Sequence, residues 1–409
     1  MKKLFLLQII TAFIFSSEVN SIKIIGNKYT KPIVILREIN HEIPGEFHPE
    51  NAELDRNRIY NLGLFSTVTI DQVGDEYVIT VVETMRFMPF PMFMYEEAGW
   101  SYGGGVVFNN FRGMHQKILI GGTLGNSKMY FLNYEDPWFA GDHIGLRLGI
   151  QDVTQMHSLF DFNLNVKEFS IGSGFHQNLI HKYQGDIGVA LIHLSETDTT
   201  INEPINLEMY EKDYSHIFAK FIYEYDTRDI YMDPTKGTYL YMTSNSYFGF
   251  DNSNSYHQIT SELIKYYQIS NRHRQPIFSS STKLLLQTSK LPIYAHVSLG
   301  GSDYVRGYSR IPSNNSDDIK DLIDVESIIY QSFQIQHTVL PKKDFGGMEL
   351  GIDLAYFVDV GFGFSTEEPK LMQPLIGYGF GFRFFASGMG VISLDFGFSP
   401  VQDEWHLHM

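Results

Sequence analysis

Met348 to Phe364 reads MELGIDLAYFVDVGFGF. Its even positions, Leu350, Ile352, Leu354, Tyr356, Val358, Val360 and Phe362, are all apolar. The odd ones, Glu349, Gly351, Asp353, Ala355, Asp359 and Gly361, are polar or small, with Phe357 the exception. Successive side chains of a strand point to opposite faces, so this is a strand with one apolar and one wet face. A soluble sandwich would show the same alternation as a lipid-facing sheet, and the rest of the chain has to decide.

Aromatic residues make up 15% of the 409 positions, with 25 Tyr and 32 Phe; glycine reaches 35 and charged residues only 19%. That mixture suits the aromatic girdles and tightly packed strands of a membrane barrel. No window reaches the roughly 18–20 uninterrupted apolar residues of a spanning helix. Any membrane span must then be made of strands, which satisfy their backbone groups in lipid only as a closed barrel. A formal net charge of -16 argues against nucleic acid, which needs a basic patch. The absence of cysteine excludes disulfides and cysteine lipidation.

Lys2 and Lys3, an apolar run from Leu4 to Phe15 and a small, polar stretch ending at Val19-Asn20-Ser21 have the layout of a cleavable secretory signal over 1–21; a short membrane anchor is the rival. A β-α-α-β-β domain is expected over 22–85. It has a strand at Ile22–Asn27, helices opening at Pro32 and Pro49, and strands Phe65–Val73 and Glu76–Val82 joined at Gly74-Asp75. Pro89 and Pro91 mark 86–96 as a linker. From 97 to 409 about sixteen strand candidates follow one another, 158–166 and 168–174 among them. Residues 290–325 interrupt them, too long for a turn and mostly too polar for strands, and are predicted to form a large loop. The fold class is membrane all-β: a 16-stranded antiparallel transmembrane β-barrel preceded by one small α+β domain.

Ile25-Gly26-Asn27-Lys28, the run Arg58 to Phe65 and the closing Val78 to Glu83 resemble a POTRA domain. Five further motifs occur in order: Asn110-Phe111-Arg112-Gly113, Tyr134 to Phe139, Tyr225 to Asp229 with Asp233 to Gly237, Gly300-Gly301 before Val305-Arg306-Gly307-Tyr308, and Phe357 to Gly361. Together they resemble the BamA/TamA superfamily, the bacterial surface antigen barrels, over nearly everything after the signal. In a POTRA domain the resemblance implies capture of extended clients by β-augmentation, with Ile25, Gly26, Phe65, Val78 and Val81 as candidate contacts.

A loop folded back into a barrel lumen must be held there, and an arginine fork meeting an inward aspartate supplies a directional contact. By phase Asp359 faces inward, and the resemblance implies Arg306 as its partner. Gly307 would let the loop backbone approach the wall, with Tyr308 completing the motif. The alternative is that Arg306 is a solvated loop arginine. Where the superfamily usually carries a glutamate that also contacts this arginine, the matching inward position here is Gln334, a neutral partner that weakens the anchor. Asp226, Arg228, Asp229, Pro234 and Gly237 are expected to build a periplasmic turn. The chain closes on Trp405-His406-Leu407-His408-Met409, read either as a short last strand forming a weak seam or as a divergent end.

His406 and His408 share a strand face, but no third ligand of fitting spacing accompanies them. No nucleophile elbow is present, and Ser279-Ser280-Ser281 reads as loop or strand end. No enzyme, cofactor or metal is therefore expected. The expected function is assembly or translocation in the bacterial outer membrane, with the POTRA domain in the periplasm. The expected partners are client outer-membrane or secreted polypeptides, the lipid bilayer and periplasmic accessory proteins. The alternatives are a two-partner-type secretion pore and a passive surface barrel or porin.

Overall fold

A computed structural model of the chain describes residues 18–408 except 97–98, 142–143, 178–179, 199, 201–203, 251–252, 271–275, 289–290, 346–348, 366–371 and 387–389. Most of the expected signal, 1–21, lies outside the described residues.

The N-terminal domain comprises β1 (Ser21–Ile25), α1 (Pro32–Leu36), α2 (Pro49–Asn61), β2 (Phe65–Val73) and β3 (Glu76–Glu83). β3 is central, parallel to β1 and antiparallel to β2. Both helices begin on proline, which loses nothing at a position where the amide has no helical partner. The core gathers Val34, Ile35, Ile59, Phe65, Tyr77, Ile79 and Val81. Asp55, fully buried on α2, accepts the amides of Asn40 (2.9 Å) and His41 (3.1 Å), the Tyr77 hydroxyl (3.1 Å) and Arg58 (3.1 Å).

Sixteen strands follow in one antiparallel sheet, each paired with its neighbours in sequence. They are β4 (Phe87–Glu96), β5 (Gly99–Phe111), β6 (Gln116–Gly125), β7 (Lys128–Asp136), β8 (Ile144–Met156), β9 (Phe162–Gln177), β10 (His181–Glu196) and β11 (Asp213–Asp226). β12 (Gly237–Phe250), β13 (Tyr256–Gln268), β14 (Ile277–Gln287), β15 (Ser327–Asp344), β16 (Glu349–Phe364), β17 (Leu375–Ala386), β18 (Gly390–Ser399) and β19 (Glu404–His408) complete the sheet. It rolls into a barrel whose wet residues face the lumen. On β16, Tyr356 and Val358 point outward while Ala355, Phe357 and Asp359 are buried inside. Among the described residues no ladder joins β4 to β19, so a seam separates the two ends of the sheet.

Two sequence expectations change. The expected linker at 86–96 is largely β4. The amide of Asn109 donates to the carbonyl of Arg86 at 3.0 Å, and the register sets Arg86 opposite Asn109. Even-numbered residues of β4 therefore bond to β5, and Pro89 and Pro91 turn their missing amides to the unpaired side, where proline is tolerated. The two candidates at 158–166 and 168–174 are one strand, β9. Its first half buries Phe162 and Leu164 inward under the loops of the far end, whereas Phe169, Ile171 and Phe175 face outward. The apolar face changes sides within a continuous strand, which a pattern of fixed phase reads as two.

The stretch predicted to be a loop carries a short helix, α3 (Asp317–Ile323), and a two-residue pairing of Val297–Ser298 with Asp324–Val325. It has a core of its own: Leu299, Val305, Tyr308, Ile319, Ile323 and Val325 pack with Leu285, Ile328, Tyr330 and Leu375 of the wall. At the other end the N-terminal domain lies across the barrel mouth. Lys31 N–H donates to Gly113 (2.9 Å), Asn110 to Thr30 (2.8 Å) and Tyr60 to Glu349 (2.6 Å). The Arg37 guanidinium covers the Trp138 ring at 3.9 Å.

Candidate functional site: a loop seated on the inner wall

The structure brings Arg306 and Asp359 together. Asp359 lies inward on β16 and is fully buried. Arg306 grips it side-on, Nε to Oδ2 and Nη2 to Oδ1 both at 2.8 Å, and the Arg306 amide donates to Oδ2 at 3.1 Å. The guanidinium lies 3.5 Å from the centre of the Phe357 ring. This accounts for the one apolar residue on the wet face of β16: it is the platform under the arginine.

Gln334 does face the lumen, but two residues away from the expected contact. It sits opposite Phe357 in register, accepts from Arg383 Nη2 at 2.9 Å and donates to Gln336 at 3.3 Å. Ser332 is the residue opposite Asp359. It donates to the Asp359 carboxylate at 2.7 Å and accepts from Arg306 Nη2 at 3.1 Å. The second carboxylate comes from β18, where Asp395 accepts from Arg306 Nη1 at 3.0 Å and from Arg383 Nη1 at 2.5 Å. Two guanidinium groups thus face two carboxylates, so the buried cluster is balanced in formal charge. Sequence reasoning missed Asp395, Arg383 and Ser332, although all three occupy inward phases of strands it had placed.

Three glycines on adjacent strands form the seat of the motif. A Cβ on Gly361 (β16) would press into Val305, one on Gly377 (β17) would collide with the Arg306 carbonyl, and one on Gly397 (β18) with the Gly307 amide. Gly307 itself has φ +108°, and a side chain there would run into Phe398 carbonyl oxygen at 2.6 Å. Its amide donates to His408 Nε2 of β19 at 3.2 Å, and the Tyr308 hydroxyl to the Ile376 carbonyl at 3.0 Å. The motif therefore touches β16, β17, β18 and β19 in turn. Beneath it lies a polar cavity of about 380 Å³, lined among others by Glu262, Lys283, Arg306, Asp353, Arg383 and Asp395.

The expected turn also forms. Arg228 holds Asp226 through Nε (2.9 Å) and Nη2 (2.6 Å), and Asp229 accepts Thr235 N–H (2.9 Å) and Oγ1–H (2.5 Å). Pro234 is buried, and Gly237 takes φ +114°. The turn has a second contact that the sequence did not signal: Asn61 of the N-terminal domain donates to the Asp229 carbonyl (3.2 Å) and accepts from the Tyr231 amide (3.0 Å).

The domain's candidate client contacts divide. Ile25 is exposed on the edge strand β1, and Gly26 follows it at φ +96°. Phe65, Val78 and Val81 are buried and therefore cannot meet a client in the folded domain; they are packing residues. Nearby, burial raises the carboxyl of Glu38 to about 7, against the opposing pull of Arg58, Arg37 and Lys182 and with the help of Asp55.

A sixteen-stranded antiparallel barrel with a loop seated on its inner wall and one α+β domain across its mouth defines a class of outer-membrane β-barrel. The Omp85 superfamily domain matches residues 110–407, and the surface antigen variable number repeat, a POTRA family, matches 17–84. The chain belongs to the Omp85 superfamily. Among solved structures it is similar to BamA from Haemophilus ducreyi lacking POTRA domains 1–3, at 17% identity and TM-score 0.60 over 95% of this chain and 82% of that one. It is also similar to CdiB from Escherichia coli, at 12% identity and TM-score 0.60 over 96% and 73%. CdiB from Acinetobacter baumannii matches at 10% identity and TM-score 0.53 over 96% and 72%.

Proposed function

We propose that this chain is an outer-membrane protein-handling factor: its POTRA-type domain, in the periplasm, engages client polypeptides, and the barrel inserts them or passes them on. The observation that carries this reading is the seated loop beside a seam that no ladder closes among the described residues. Val305 to Tyr308 brace the last four strands from inside, so the sheet can stay ordered while its end at β4 remains open to a client strand. Arg306, Gly307, Tyr308 and Asp359 act as the loop anchor, Asp395 and Ser332 complete it, and Gln334 supports it through Arg383. The segment from Asp226 to Gly237 serves as a periplasmic turn on which the domain rests. Clients, and any accessory proteins of the periplasm, meet the domain at the free edge around Ile25 and Gly26.

Export of a partner through the lumen is the second reading, supported by the polar cavity under the loop. One experiment separates the two. The folding rate of a small bystander barrel is measured in liposomes carrying the wild type, Arg306→Ala or no protein. Acceleration by the wild type alone supports assembly. No acceleration together with steady ion conductance supports the export pore, and neither effect leaves a passive barrel.

A further inference from the structure

The free edge of β4 is chemically uneven. Its odd-numbered residues turn their backbone groups away from β5, because Arg86 accepts the Asn109 amide and the direction alternates from there. Phe87, Phe93 and Tyr95 each offer the seam an amide and a carbonyl, whereas Pro89 and Pro91 offer a carbonyl alone. Between the amides of Phe87 and Phe93, about 20 Å along the strand, the edge has no donor. A strand laid against this stretch would have to leave carbonyls of its own unpaired. The side chains of Phe87, Pro89, Pro91 and Phe93 are exposed on the outward face, toward lipid, where no water replaces the missing partner. Past Pro91, the Phe93 and Tyr95 amides restore normal pairing.

We propose that β4 accepts an extended polypeptide strand of alternating apolar residues over its outer end only, at Phe93 and Tyr95, and that Pro89 and Pro91 stop the pairing from growing toward the N-terminal domain. The inference rests on the reading that clients engage the barrel at this seam. The outward surface beside this outer end, where Phe93, Tyr102 and Leu124 lie exposed in one cross-strand row, fits the lipid-facing side chains of such a strand. A client held through so few residues is easily released, so the edge works as a transient guide and not as a permanent partner.

The chain has no cysteine, which allows a direct test. Met88→Cys, Phe90→Cys and Met94→Cys are made singly, in the full chain in liposomes, each at a position whose backbone bonds to β5. Each is offered a synthetic peptide of about ten alternating Val and Ser residues with one central cysteine. Disulfide yield is expected to be about tenfold higher at position 94 than at 88 or 90, and to even out when Pro89→Val and Pro91→Val restore the donors. Equal yields along the wild-type edge, or a pattern that the two valines leave unchanged, overturns the inference and spares the seam reading. No crosslink at any position in either background overturns both.

Discussion

The two walls that flank the seam are built on opposite plans. On one side β16, β17 and β18 are pressed from inside by a loop with its own apolar core, and a buried cluster of two arginines and two aspartates fixes where that loop sits. On the other side β4 has a ladder partner along one edge only among the described residues, with prolines on its open edge and the run Gly103-Gly104-Gly105 facing it on β5. The loop-bearing wall is fixed from inside by packing and ion pairs; the first strands take their support from the N-terminal domain, through Thr30 and Asn110, Lys31 and Gly113, and Arg37 over Trp138. If the seam opens, the contrast predicts that the β4 side moves.

It also separates adhesion from registration. The large side chains buried between loop and wall each contribute on the order of 1.5–3 kcal/mol. A buried ion pair returns little net stability, because desolvation offsets its attraction, but breaking one is costly. Apolar packing holds the loop, and Arg306 decides its position. Arg306→Ala is accordingly expected to have the largest effect, a loss of roughly 3–5 kcal/mol from an unpaired Asp359. Protease cleavage within 290–325 and altered heat-modifiability on gels would register it. Arg306→Met combined with Asp359→Leu should recover most of that loss; a double variant as weak as the single would show that the charges themselves, and not their pairing, are required.

Gly377→Ala comes next, at roughly 1–3 kcal/mol of overpacking against the Arg306 carbonyl, seen as loop proteolysis with the barrel otherwise folded. Gly104→Ala on the opposite wall sharpens the contrast. Its nearest obstacle is the Phe90 carbonyl oxygen at 3.3 Å, and a change within about 1 kcal/mol is expected in the same assay. Equal sensitivity at the two glycines would break the comparison.

The support given by the domain should depend on pH. Glu38 is neutral when folded up to about pH 7, whereas an unfolded glutamate ionises near 4.5. A raised carboxyl means that the folded state holds the proton longer. Its contribution is fully present below about 4.5 and lost as pH rises through about 7. Hydrogen exchange of the α1 amides, corrected for intrinsic rates, should quicken between pH 5 and 8. Glu38→Gln should flatten that dependence by at most about 3 kcal/mol; a variant with the wild-type slope would remove Glu38 as its source.

Much of this was legible in the sequence because a two-residue period forces it. The phase of 348–364 put Asp359 inside, but Phe357 stood only as an exception on the wet face until the structure set the Arg306 guanidinium over its ring. What stayed hidden depends on register between distant strands. Ser332 and Gln334 share a phase, and only the pairing of Ser332 with Asp359 decides which of them reaches Arg306. Asp395, Gly377 and Gly397 become one site only after the sheet has curled. β4 was lost because proline signals a break unless its missing amide faces nothing, and β9 was split because its buried face changes sides. Phe65, Val78 and Val81 were read as contacts because a core residue and a binding residue can share the same apolar signature.

The sharpest test asks whether the loop must stay seated while the protein works. Val305→Cys and Gly361→Cys place two thiols where the loop meets β16, in a chain without other cysteines. Folding of the bystander barrel is then followed in liposomes under oxidising and reducing conditions. If the loop is a fixed brace and the β4 side moves, the locked protein should accelerate folding as well as the reduced one. Acceleration lost on oxidation and restored on reduction would contradict that, and would make the loop itself the moving part.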